Sequence, residues 1–470
     1  MHPQSDRPSV LATPISRRSL LGLGAAGAAG LLLTGTGSAF AAVGADNRMW
    51  DAIVIGAGAS GLGAARVLAD AGRRVLVLEA RDRIGGRMWT DTTSMSIPVE
   101  RGAELVHGSD VSTWGLIDEQ GLSTHRQTSI TGRLTPQTPW ISAFDFETFH
   151  FPLGAPDFPN GLPAAQPGET ALQWLNRAGI PRENYPLAIA AIEVDTEQFD
   201  VLPARFVVGA VADALELQGL SGPMPPEEYG DYRVIGGYKQ VLVPLVRDIP
   251  VRLGHVVHTI EYGKNRVDVH TGRGSFKAKR VVVALPGGVL KHGDITFDPP
   301  LPADRRDAIQ QISYLSVFKG LLEFAHPVLP SSHPAAPSWD VLATMSQNPP
   351  SLWNASIGTP GYSGEVVVSW MTGGRAQALL DLPETERMAA ALESVRVSAG
   401  DPALTPVHTS TYDWSKDEFA RGAYPGPFSR RTGLTDPIAG VLYWAGMTTS
   451  TIHSSRDSGV RAANALLAAG

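Results

Sequence analysis

The chain has 470 residues, 39 of them basic and 46 acidic, for a formal net charge of −7. It has no cysteine, which excludes disulfides, thiolate metal sites, cysteine nucleophiles and thioether attachment of a cofactor. Mild acidity without a basic tract argues against a nucleic-acid partner, and 43% hydrophobic residues imply packed domains despite 50 glycines and 36 prolines.

Residues 1–41 read as a targeting segment. Ser16-Arg17-Arg18-Ser19-Leu20-Leu21 opens an apolar stretch that runs to Leu33. That stretch is short for a membrane span and rich in Gly and Ala. Ala39-Phe40-Ala41 is a small-residue cleavage site. The arrangement resembles a twin-arginine signal peptide, a route for folded proteins. It implies export to the periplasm or beyond, with no stable membrane anchor after cleavage.

Asp51–Arg87 is the stretch that organises the rest. Ile53–Ile55 is a short apolar run that reads as a buried strand. Gly56, Gly58 and Gly61 follow at G-x-G-x-x-G spacing. The first allows the tight turn, the second lets backbone approach a pyrophosphate, and the third lets the next helix pack on the sheet. That helix is expected from about Ser60 to Ala71, with its positive end toward an anion. Val75–Leu78 is a second strand, and Glu79 at its end can accept from a ribose diol. Strand, glycines, helix, strand and acid in one unit indicate a dinucleotide site.

Ala80-Arg81-Asp82-Arg83-Ile84-Gly85-Gly86-Arg87 narrows the dinucleotide. It resembles the GG motif of the flavin-containing amine oxidases, the family of monoamine and polyamine oxidases. The resemblance implies FAD lying against Ala80, Arg81, Gly85, Gly86 and Arg87. It also implies an α/β fold: a Rossmann-like FAD domain in three segments, 48–113, 231–300 and 409–470. An α+β substrate domain is inserted as 114–230 and 301–408.

Val99–Gly108 resembles the family segment that crosses the flavin and ends in His-Gly. His107 is a candidate for the amine-binding region, with a structural histidine as the alternative. Amino-acid oxidases of the superfamily carry an arginine near Leu105, so an amino-acid substrate is disfavoured. Helical patterns are expected at Thr170–Ala178 and Ala204–Leu217. Glu193, Asp195 and Glu197 form a solvated acidic face or, on a sharper reading, an anionic entrance for an ammonium.

Strands are expected at Val251–Leu253, Val256–Ile260, Arg266–His270, Ser275–Lys279 and Arg280–Leu285. By resemblance, Val257 meets the adenine. A helix is expected at Asp304–Ile312, and Lys319 then lies within the apolar run Val317–Phe324. A lysine there is costly unless something binds it. In the family such a lysine holds a water against the reactive flavin nitrogen, and the resemblance assigns that role to Lys319; a strand lysine facing solvent is the alternative. A strand at Glu365–Trp370 and a helix at Pro383–Ala399, closed by Gly400, follow.

Asp413–Tyr424 resembles the W…GxY segment. Tyr424 matches one wall of the aromatic cage, and Trp414 reads as packing. Ala423 stands where monoamine oxidases carry the flavin-linked cysteine, which implies non-covalent FAD. Tyr443–Met447 is a strand into a glycine turn, so Gly446 and Met447 are expected at the cofactor, with a last helix from about Ser458. Met447, Thr448 and Thr449 stand where the family has an acid, and His453 and Arg456 lie where it has a second cage aromatic.

The expected function is oxidation of an amine to imine and aldehyde, with electrons passed to oxygen to give hydrogen peroxide. The alternatives are an amino-acid oxidase, a flavin desaturase or dehydrogenase acting on a carbon–carbon bond, and a flavoprotein without catalysis. No metal motif is present; a small-molecule amine is the expected partner, and a homodimer is compatible.

Overall fold

The computed structural model describes residues 46–470, except 128–129, 134, 138–140, 143–162, 183–202, 206–207, 209–229, 330–339, 345, 427–428 and 430–431. The expected targeting segment, the acidic run Glu193–Glu197 and most of the expected helical pattern Ala204–Leu217 lie outside the described residues.

The fold grows from strand β1 (Asp46–Ile55), helix α1 (Ala59–Asp70) and strand β2 (Val75–Leu78). β1 pairs in parallel with β2, from Ala52↔Val75 to Ile55↔Leu78, and on its other edge with the strand Gly274–Val283. Ala52, Ile53, Val54 and Ile55 are all buried. Side chains alternate across a strand, so Ala52, Val54, Val75 and Val77 enter the core beside α1. Ile53, Ile55, Leu76 and Leu78 enter a second core on the opposite face. A continuous apolar run is thus what a parallel sheet covered on both faces requires.

The large sheet has eight strands. Its order is Val251–Arg252, β2, β1, Gly274–Val283, Arg266–Thr271, Val257–Gly263 and Thr296–Asp298. Gly274–Val283 forks: its first half is antiparallel to Arg266–Thr271, and its last residues pair in parallel with Leu442–Trp444. It is one strand, where two were expected from the sequence. The change of partner leaves the backbone unbroken.

The closing helix is Ile452–Ala468. It starts about six residues earlier than expected, because Thr451 and Ser454 form a reciprocal capping box at its N-terminus. It packs directly on α1. A Cβ on Gly459 would stand 1.9 Å from the Ser60 carbonyl oxygen, and one on Gly63 would stand 2.9 Å from the Arg456 oxygen.

A second sheet has the order His408–Thr411, Val317–Phe324, Glu365–Thr372, Ser351–Asn354, Val341–Thr344, Ile130–Arg133, Ile141–Ser142. Parity decides what Val317–Phe324 presents. Phe318, Leu322 and Phe324 enter one core with Val367 and Val395. Leu321 enters another with Met95, Ile97 and Val99. Lys319 and Glu323 share the parity of Leu321, so both meet residues 96–104. A small third sheet places Asp231–Val234 between Leu105–His107 and Thr124–Arg126, antiparallel to both, in the register His107↔Asp231.

Candidate active site

Ile55, Leu78, Ala284 and Gly446 stand at or just past the C-terminal ends of parallel strands, and together they line one cleft. A doubly wound sheet binds ligands there. Gly56, Gly58, Ser60, Glu79, Ala80, Arg81, Gly85, Gly86, Arg87 and Val257 also line it. Gly61 and Met447 are the exceptions among the expected cofactor residues. Gly61 packs against the turn, where a Cβ would stand 1.9 Å from the Gly56 oxygen. The Met447 side chain is buried in the core behind the cleft, and its carbonyl accepts from the Tyr314 hydroxyl at 3.2 Å.

The glycines have separable reasons. Gly56 has φ +104°, and a Cβ on it would lie 2.6 Å from the Ala284 oxygen, so the turn itself demands glycine. Gly58 has no such constraint: beyond its immediate chain neighbours, the nearest described atom to its Cβ position is the Gly85 oxygen, at 4.0 Å. It lines the cleft as the N-cap of α1, and no side chain caps that helix. A bare cradle beside an uncapped helix N-terminus fits a pyrophosphate. Glu79 is buried; its Oε2 accepts from the Ala57 N–H at 2.7 Å and its Oε1 from the Arg81 N–H at 2.9 Å. Burial pushes its carboxyl up, against the lowering effect of those two backbone donors. Each oxygen keeps a lone pair for a diol. These residues therefore fit FAD.

Arg87 joins the cleft to the expected reaction centre. Its carbonyl accepts from the Ala103 N–H at 3.1 Å, and its guanidinium donates to the Ala423 carbonyl. A Cβ on Gly102 would lie 1.8 Å from the Arg87 oxygen. Gly102 and Ala423 are thereby fixed at one end of the cleft. Beyond Gly102 lies Lys319, whose Nζ donates to the Gly102 oxygen at 3.1 Å and to Glu104 Oε2 at 2.7 Å. Beyond Ala423 lies Tyr424, half-buried, its carbonyl accepting from the Leu315 N–H at 3.0 Å. Lys319 is 8% exposed and thus does not face solvent.

Trp414 packs, as expected. It is buried, donates to the Arg101 oxygen at 2.9 Å, and meets Tyr412 edge-on at 4.9 Å. His107 lies apart from the buried centre. It is half-exposed, and its Nδ1 lies 2.7 Å from Asp231 Oδ1. It is close enough to lower the pKa of His453, after the larger effect of burial. His453 belongs to the first turn of the closing helix, whose Ile452 and Ser455 line the cleft.

Sequence reasoning passed over several residues. Glu104 and Glu100 lay inside the quoted segment Val99–Gly108 without being singled out. The parity of Lys319 was the available signal, since a buried ammonium needs a carboxylate. Glu100 is buried; its Oε1 accepts from the Thr90 hydroxyl and the Tyr238 N–H, both at 2.7 Å. Burial pushes its carboxyl up to about 7, with Glu104 adding to the rise. Asp294 and Arg421, both in the cleft wall, pair at 3.2 Å. No local pattern announced that contact, because 127 residues separate them.

The fold and this cleft define a flavoprotein oxidoreductase. The chain belongs to the family of flavin-containing amine oxidoreductases, whose model matches residues 59–193 and 224–467. It is an FAD-dependent amine oxidase, in a family whose typical output is hydrogen peroxide. It is similar to polyamine oxidase 3 of Oryza sativa subsp. japonica, 28% identical over 447 residues and 88% of each chain. It is also similar to putrescine oxidase of Kocuria rosea, 27% identical over 432 residues, 80% of this chain and 84% of that one. Putrescine oxidase bound to putrescine has the same fold, with TM-score 0.68, 24% identity and coverage of 90% of this chain and 99% of that one. Cyclohexylamine oxidase from Brevibacterium oxydans IH-35A gives TM-score 0.69 at 20% identity, covering 89% and 99%.

Proposed function

We propose that this chain oxidises a small aliphatic amine at a centre bounded by Lys319 and Tyr424, with non-covalent FAD held by the residues from Gly56 to Arg87. Bound FAD supplies the two-electron acceptor. The chain's residues supply the rest. The α1 N-terminus and Gly58 receive the pyrophosphate, and Glu79 takes the ribose. Tyr424 forms an apolar wall that orients the amine and, by excluding water, favours its neutral form. An ammonium has three N–H donors; Lys319 uses two on Gly102 and Glu104, which leaves one for a water at the reacting centre. His107, held by Asp231 at the exposed side, is the candidate for the amine-binding region.

The observation that carries this reading is Arg87, which lines the cleft and bonds both the Gly102 loop and the Ala423 loop. The named activities of the relatives, on putrescine and polyamines, support an aliphatic mono- or diamine as substrate. Oxygen is the acceptor in this reading.

We further propose the two-domain division given above, and export through the twin-arginine route with cleavage after Ala41. The Arg17-Arg18 pair, the apolar stretch and Ala39-Phe40-Ala41 support export. Peroxide release across a panel of mono-, di- and polyamines tests the function. The absence of amine-dependent peroxide from a fully flavinated preparation would sink it. Acid precipitation tests the attachment: FAD is expected in the supernatant.

A further inference from the structure

Lys319 and Glu104 form a buried ion pair at 2.7 Å, with side chains 9% and 4% exposed. The Gly102 carbonyl, from the same loop as Glu104, takes a second Lys319 donor, and the ammonium stands 5.5 Å from the Trp353 ring centroid. The loop is itself immobilised, since the next residue, Ala103, donates to the Arg87 carbonyl at 3.1 Å.

We propose that Glu104 is the positioning residue of Lys319, fixing its ammonium and cancelling its charge, so that the flavin meets an ion pair of zero net charge instead of a free cation. This rests on the reading of Lys319 as the group beside the flavin. A lysine stem has four rotatable carbons, and a single acceptor leaves much of that freedom. Two acceptors from one rigid loop remove it and aim the remaining N–H. The electrostatic consequence is separate. Reduced FAD is anionic at neutral pH, and in a buried site a lone cation beside it would stabilise that state strongly. A carboxylate within hydrogen-bond distance of the cation largely removes the effect. Glu104 therefore keeps the flavin a weaker oxidant than Lys319 alone would make it.

Other charged groups face the pair. Glu100 acts on both Glu104 and Lys319, and its carboxyl is pushed up to about 7. Arg233, from the strand Asp231–Val234, is acted on by Glu104, Glu100 and Asp340, and Asp340 is held by His125 at 2.6 Å. Because Glu104 and Lys319 both act on Glu100, removing either one changes the charge of Glu100, so each variant is also made in a Glu100→Gln background.

The test is the midpoint potential of bound FAD, by spectroscopic titration of the holoenzyme at pH 6. Glu104→Gln leaves Lys319 uncompensated and is expected to shift the potential positive. Lys319→Met leaves Glu104 uncompensated and is expected to shift it negative. The double variant removes both charges and is expected to return close to the unmodified protein. An unchanged potential in Lys319→Met would overturn the placement of Lys319 beside the flavin, and this inference with it. A shift in Lys319→Met with none in Glu104→Gln would overturn the role of Glu104 alone. If Glu104→Gln does not fold, the double variant is compared with Lys319→Met. A more positive potential in the double variant supports the pairing, and an equal one overturns it.

Discussion

The guanidinium of Arg87 donates to the carbonyl of Ala423, a contact between residues 336 apart in sequence. It closes one end of the cleft and sets the backbone that leads into Tyr424. One charged side chain thereby serves both the cleft wall and the segment proposed as the amine wall. Its partner is a backbone carbonyl, so the bond asks nothing of the side chain at 423, and alanine suffices there.

Arg87→Met should consequently weaken both walls. A hydrogen bond to a charged group contributes about 1.5–3 kcal/mol, so FAD affinity should fall by roughly ten- to a hundredfold. The amine KM should rise as well, because Ala423 and Tyr424 lose their anchor. FAD affinity is measured by flavin fluorescence on reconstitution, and KM by peroxide release. A change in only one of the two would show that Arg87 serves only one wall.

Gly56→Ala and Gly58→Ala should fail in different ways. At Gly56 the new methyl meets the Ala284 oxygen and the backbone has positive φ, so the apoprotein itself should lose on the order of 1–3 kcal/mol. At Gly58 the methyl projects where, beyond its immediate chain neighbours, no described atom is nearer than 4.0 Å. The apoprotein should keep its stability, while FAD occupancy falls. Denaturation of the two apoproteins and the ratio of flavin to protein absorbance separate these outcomes.

The flavin half of the site was legible in sequence because it is local. Strand, turn, helix, strand and acid lie within about thirty residues; Gly56 and Gly61 answer to contacts inside that unit or just past a neighbouring strand, and Gly58 is left open for the ligand. The start of the closing helix was missed because its signal is a hydroxyl pair, Thr451 and Ser454, rather than a hydrophobic period. The partner of Lys319 was missed for a different reason. Glu104 and Lys319 are 215 residues apart, and nothing local requires them to meet. Only the parity of Val317–Phe324, together with the cost of an unpaired buried ammonium, pointed to an acid on that face. Arg421 and Asp294 gave no such hint, since an arginine and an aspartate near a cleft mouth are ordinary in a chain of this charge.

Glu100 should make stability depend on pH. Its folded pKa is raised from 4.5 to about 7, first by burial. The folded state therefore binds more protons than the unfolded state between those values, and stability falls as pH rises through that window. The full shift corresponds to a loss on the order of 3 kcal/mol. Glu100→Gln keeps an acceptor for Thr90 and the Tyr238 N–H, and places a neutral NH2 where Oε2 has no described partner. Chemical denaturation at pH 5 and pH 7.5 should show the unmodified protein losing stability relative to the variant. Parallel behaviour of the two proteins would mean that Glu100 is already ionised at low pH.

Lys319→Met tests stability and chemistry together. Methionine suits the apolar strand in length and polarity, and in isolation the change would be mild. Glu104 alters that expectation, because removing one partner of a buried ion pair leaves a charge stranded, at a cost of about 3–5 kcal/mol. Adding Glu104→Gln should recover most of that loss. The chemistry should not recover with it. On the proposed reading both variants lack the N–H assigned to hold a water at the reacting centre, so flavin reduction by amine or its reoxidation by oxygen should slow at least roughly tenfold, about 1.4 kcal/mol in the barrier. Amine binding should change less, since Tyr424 is untouched. Denaturation curves give the first quantity and stopped-flow absorbance the second. Stability restored with rates still slow is the expected pattern. Rates restored together with stability would show that Lys319 acts only as the counter-ion of Glu104, and that the reaction proceeds without its ammonium.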